Sequence, residues 1–130
     1  MSIIEEIRKK LEKYPEIKFE EGENSISIFP SNEEGFTISV EESPSSYTVA
    51  FDGWHESFEN AEEALNCVGF GLSDSCRLKT IYRGETPQKW IVEYKENGEW
   101  VMDSEAGLFI FPFWRKQRVV YKQNYVIKET

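Results

Sequence analysis

Histidine occurs once in this chain and cysteine twice, and no apolar run approaches the roughly 18–20 residues that span a bilayer. Each scarcity excludes a class of chemistry. A closed zinc site needs four N, S or O ligands. Here His55, Cys67, Cys76 and one carboxylate would have to supply all of them. The two cysteines are nine residues apart and fit no common ligand spacing. No metal and no cofactor is expected. Two cysteines also make no disulfide framework of the secreted kind. The opening Met1-Ser2-Ile3-Ile4-Glu5-Glu6 lacks the basic start and apolar run of a signal peptide. The expectation is a cytoplasmic protein with two free thiols and no membrane segment.

Catalytic signatures are equally scarce. His55 lies near Ser57 and some way from Cys67, Ser73, Ser75 and Cys76, and no nucleophile elbow surrounds any of them. Gly69-Phe70-Gly71 superficially resembles a phosphate loop, but it falls at the end of an amphipathic stretch, where a phosphate loop needs a helix start. The carboxylate pairs Glu20-Glu21, Glu33-Glu34, Glu41-Glu42 and Glu62-Glu63 fall mostly in turns or on the outside of a helix, where charge is ordinarily solvated. No catalytic residue is expected.

What the chain does have is a split charge. Residues 1–66 carry 16 acidic against 5 basic side chains, a net of −11, and residues 67–130 carry 8 against 10, a net of +2. A dipolar surface of this kind orients a protein against a charged partner. The overall −9 opposes nucleic-acid binding by default. Aromatic residues make up 15% of the chain, enough to build a core beside a modest aliphatic content.

The periodicities predict one α+β domain over residues 1–130, in the order helix, strands, helix, strands, with a mostly antiparallel sheet packed against two helices. Ser2 with Glu5 forms a capping box, and Ile4, Ile7 and Leu11 make the buried stripe of a first helix over 3–13. Period-two alternation then runs through Ile17/Phe19, Ile26/Ile28, Phe36/Ile38/Val40 and Tyr47/Val49/Phe51, an antiparallel meander. A second helix is expected over 60–70, with Asn60 and Glu63 at its start and Gly69 and Gly71 closing it. Further strands carry Leu78/Thr80/Tyr82 and Trp90/Val92/Tyr94, and Asn97-Gly98 marks a hairpin.

Two surfaces stand out. In Leu108–Arg118 the adjacent Phe113 and Trp114 cannot both face a core from an extended chain, and Arg115, Lys116 and Arg118 follow them. Trp and Arg are enriched at interface hot spots. The second is a strand face carrying Arg77, Lys79, Ile81 and Arg83, extended by Lys89 and Ile91.

The runs Phe51-Asp52-Gly53-Trp54-His55-Glu56, Phe70-Gly71-Leu72-Ser73-Asp74 and Gly107–Arg115 together resemble a type of small uncharacterised bacterial protein, over roughly residues 47–124. The resemblance implies no activity, cofactor or site residue. Size and acidity are similar to those of bacterial toxin-immunity proteins. The leading expectation is a non-enzymatic, immunity-like or adaptor module that binds another protein through Trp54, His55, Phe113, Trp114, Arg115 and Arg118. One alternative is a small-ligand binder or enzyme with a pocket between sheet and helices, His55 being its polar group. The other is a nucleic-acid binder acting through Arg77, Lys79, Arg83 and Lys89.

Overall fold

Ser2 starts the first helix as expected: its hydroxyl accepts a hydrogen bond from the Glu5 amide at 3.2 Å. The computed structural model, which describes residues 2–107 and 116–127, places this helix, α1, at Ile3–Leu11. Its buried face is Ile3, Ile4, Ile7 and Leu11. The strands Phe19–Glu21 (β1), Ser25–Ile28 (β2), Ile38–Glu42 (β3), Tyr47–Phe51 (β4) and Trp54–Phe58 (β5) form an antiparallel five-stranded meander in chain order. Ile17 is buried, but it lies in the turn before β1, its amide bonded to the Tyr14 carbonyl, rather than in the strand itself.

The meander's inner face is apolar at its centre and carries Glu42 and Glu56 toward its margin. Ile26, Ile28, Ile38, Val40, Val49, Phe51 and Trp54 are all buried on it. Phe36, Phe51 and Trp54 form an aromatic row, with ring centroids 5.1 and 4.7 Å apart. The opposite face carries hydroxyls that bond across strands, Ser27 to Ser39 and Thr48 to Ser57, each at 3.2 Å.

After β5 the chain crosses into α2, Ala61–Leu72, capped by the Asn60 side chain, which accepts from the Glu62 and Glu63 amides. The remaining strands form a second sheet instead of extending the first. They are Cys76–Arg83 (β6), Thr86–Glu96 (β7), Glu99–Gly107 (β8) and Gln117–Lys122 (β9), in the antiparallel order β8-β7-β6-β9. The reason is pairing. β6 has β7 on one side and β9 on the other, which leaves it no free edge for β5. At the β7–β8 hairpin Asn97 and Gly98 both take positive φ, 52° and 81°, as a tight primed turn requires. No helix among the described residues is long and apolar enough to cross a membrane.

Helix α1 packs on β3 and α2, and α2 packs on β4, β5 and β6, so α2 joins the two sheets. Gly69 and Gly71 do not end this helix; it runs through both to Leu72. Their roles differ. A Cβ on Gly71 would stand 2.6 Å from the Phe51 ring and 3.0 Å from Ile38, whereas one on Gly69 would meet nothing within 4 Å. Gly71 is therefore the point of closest approach between helix and sheet. Gly71→Ala should cost about 1–3 kcal/mol by overpacking, and Gly69→Ala should gain up to about 1 kcal/mol from helix propensity. Urea denaturation of the pair checks this; equal shifts in the same direction would refute the close packing.

The segment after β9 binds both halves together. The amides of Val126 and Ile127 reach the Leu72 carbonyl, Asp74 N–H reaches the Ile127 carbonyl, and Gln123 N–H reaches the Glu34 carbonyl, at 2.8–2.9 Å. Between them Asn124 is 2% exposed. Its side chain accepts from the Phe36 amide and donates to the Gly71 carbonyl, both at 3.0 Å.

Candidate functional site

Three periodicities converge on one cleft. On β5, Trp54, Glu56 and Phe58 fall two apart and share a face. On α2, Glu63, Asn66, Cys67 and Phe70 fall at i, i+3, i+4 and i+7 and share another. Val92 and Tyr94 of β7 and Asp103 of β8 complete the wall. The cleft is open to solvent, and its volume is about 400 Å³, within the range of small-ligand sites. It opens where β5, an edge of the first sheet, meets β7 and β8 of the second.

The floor is aromatic and aliphatic, and the polar groups are acidic. Trp54 Nε1 donates to Ser104 Oγ at 2.9 Å, and Ser104 Oγ donates onward to Asp103 Oδ2 at 3.2 Å. The carboxylate at the rim is thus held by the indole that forms the floor. Burial pushes the Cys67 thiol up to about 12, with the charges of Glu56 and Asp103 adding to the effect. Burial and the neighbouring Cys67 raise Cys76 as well. Both cysteines are free thiols held protonated at neutral pH, a state opposite to that of a nucleophilic cysteine.

A second surface is the outer face of the β8-β7-β6-β9 sheet. Arg77 lies between two rings, 4.6 Å from the centroid of Trp100 and 4.1 Å from that of Tyr121. It also pairs with Glu93 at 2.5 Å. Register places Lys79, Ile81, Lys89 and Ile91 on this same face. Around them Met102 is 56%, Tyr121 47% and Val119 37% exposed.

Of the six sequence-predicted contact residues, the three that are described, Trp54, His55 and Arg118, do not share one surface. Trp54 is 3% exposed and forms part of the cleft floor, so it is no surface contact. His55, next along β5, is exposed and shares the opposite face with Ala50, its cross-strand partner; it is not the cleft's polar group. Arg118 is exposed on β9, its guanidinium 4.5 Å from the Tyr82 ring centroid. Phe113, Trp114 and Arg115, with Leu108–Phe111, lie outside the described residues. On the basic strand face, Arg77 is neutralised by Glu93, Lys89 pairs with Glu105 at 3.1 Å, and Arg83 Nε faces Gln88. Among the described residues no group of three His, Cys, Asp or Glu side chains is placed to hold a metal ion.

The sequence offers a pocket between sheet and helices as an alternative, with His55 as its polar group, but it does not single out the residues that line this cleft. Its signal was the stripe Glu63/Asn66/Cys67/Phe70 beside Trp54/Glu56/Phe58, two amphipathic patterns that mix aromatics with carboxylates. The chain matches no protein-family model, no curated protein and no solved structure.

Proposed function

We propose that this chain is a non-enzymatic module that binds a protein partner through the outer face of its second sheet. The observation that carries the proposal is the Arg77 guanidinium set between Trp100 and Tyr121. Arg, Trp and Tyr are the side chains most enriched at energetic hot spots. This group is already ordered by its rings and by Glu93, so binding sacrifices little rotamer freedom. Exposed Met102, Val119 and Tyr121 add apolar area around it. Lys79 and Lys95 sit over the same two rings and select a partner patch that is acidic and apolar together.

The neutralisation of Arg77 and Lys89 by glutamates favours a protein over a phosphate backbone, which rewards unpaired cations. Partly or fully buried thiols held protonated are poor nucleophiles, which supports a non-enzymatic role, and a cytoplasmic location belongs to the same proposal. An immunity-like or adaptor role is compatible with a small acidic domain of this shape.

The test uses the full chain as bait in lysate of its source cells, with mass-spectrometric identification and then titration of the purified partner. Lys79→Glu with Tyr121→Ala should weaken that partner's binding at least tenfold, while His55→Ala on the other sheet leaves it unchanged. Salt-sensitive capture of nucleic acid, with no protein partner, would transfer the surface to the nucleic-acid reading. Binding that survives the double variant would overturn the assignment of the face.

A further inference from the structure

The cleft under α2 is separate from that outer face, and its charge has the opposite sign. Its polar rim holds Glu56, Glu63 and Asp103. Among the described residues none of the three is in an ion pair, and all three are exposed at the mouth of the cleft. Among the described residues no lysine, arginine or histidine lines the cleft. The three exposed carboxylates therefore rim an apolar floor with no counter-charge among the described residues.

Such an arrangement discriminates sharply among ligands. An anion would be repelled by all three carboxylates. A metal ion is poorly served, because the floor of Trp54, Phe58, Phe70 and Val92 offers no oxygen ligands and among the described residues no set of three donors converges. A neutral apolar molecule would gain the floor and nothing from the rim. An organic cation gains from both: its charge from the carboxylates, its hydrocarbon from the floor. Asp103 is also anchored in advance through Ser104 to the Trp54 indole, so its charge is held above the floor before anything enters.

We infer that the cleft formed by β5, α2, β7 and β8 binds an alkylammonium or guanidinium group attached to an apolar or aromatic body, with Glu56, Glu63 and Asp103 taking the charge. The group is the same whether it belongs to a free amine or to a lysine or arginine side chain of another protein. This site stands independently of the outer face.

Two probes separate the sources: 2-phenylethylamine, and the blocked dipeptide N-acetyl-phenylalanyl-lysinamide. Amide shifts in ¹H–¹⁵N spectra of the full chain report both affinity and place. At least one probe should move Cys67, Phe70 and Asp103 in a saturable titration, and the tighter of the two names the source. The neutral isostere 2-phenylethanol should bind at least tenfold more weakly than the amine. Asp103→Asn combined with Glu56→Gln should weaken the cationic probe at least tenfold, while Glu33→Gln, outside the cleft, should leave it unaltered. Equal binding of amine and alcohol, shifts confined to other regions, or a double variant that binds as wild type would each overturn the inference. Should the double variant fail to fold, the amine-against-alcohol comparison on the wild-type chain still decides.

Discussion

Asn124→Ala is expected to lower the stability of the domain by about 3–5 kcal/mol, a large share of the roughly 5–15 kcal/mol typical of a whole domain. Two buried backbone groups depend on this one amide. The Phe36 N–H donates to its oxygen, and its NH₂ donates to the Gly71 carbonyl. Removing the side chain orphans both, and each orphaned group costs about 1–3 kcal/mol because water cannot reach it. Space is also exacting here: a Cβ on Gly35 would stand 2.6 Å from the Asn124 oxygen. The amide therefore fits between the first sheet and the end of α2 with no room to shift. Asn32→Ala is the control. Asn32 donates to the carbonyls of Gln123 and Asn124 from an exposed position, where water replaces the lost bonds. It should cost about 1 kcal/mol or less. Urea midpoints at constant slope measure both. A loss below about 1 kcal/mol for Asn124→Ala would mean that the C-terminal segment does not hold the two halves together.

The contrast between Asn124 and the first helix shows which parts of this fold were legible in the sequence. Elements specified by neighbours along the chain were readable: the Ser2 and Asn60 caps, the apolar alternation of β2 to β4, and the Asn97-Gly98 turn. Each depends on side-chain and backbone groups a few residues apart. The division into two sheets depends instead on β9 returning to β6 across more than thirty residues, and no local pattern states that choice. Asn124 reads as a loop residue, since its partners Phe36 and Gly71 are 88 and 53 positions away. Gly69 and Gly71 read as a helix end, because glycine commonly ends helices. The competing use, close approach to Phe51, is visible only once the sheet is in place. The cleft follows the same rule. Glu63 looks like a solvated helix acid until β5, β7 and β8 put aromatic rings beside it.

Cys67 in native protein should be alkylated by iodoacetamide at least tenfold more slowly at pH 8 than the same cysteine in the unfolded chain, its lower thiolate fraction outweighing the greater nucleophilicity of a higher-pKa thiolate. The reactive species is the thiolate. Burial first, then the charges of Glu56 and Asp103, raise this thiol from 9.0 to about 12, so its thiolate fraction at pH 8 falls by roughly three powers of ten. Linkage fixes the consequence for stability. Below pH 9 the thiol is protonated in both states and contributes nothing. Between pH 9 and 12 the unfolded chain loses its proton while the native protein keeps it, so stability falls by about 1.4 kcal/mol per pH unit. Cys67→Ala should remove that component of the alkaline slope, leaving the smaller-slope profile set by the other groups, Cys76 among them. The same experiment reports on the carboxylates. Glu56→Gln and Asp103→Asn each remove a charge that disfavours the thiolate, so each should speed native alkylation, and the double variant should speed it further. Native alkylation at the unfolded rate would mean that water fills the cleft and that neither carboxylate acts on the thiol. Unchanged rates in both variants, with slow alkylation retained, would assign the whole effect to burial and leave the rim charges facing solvent.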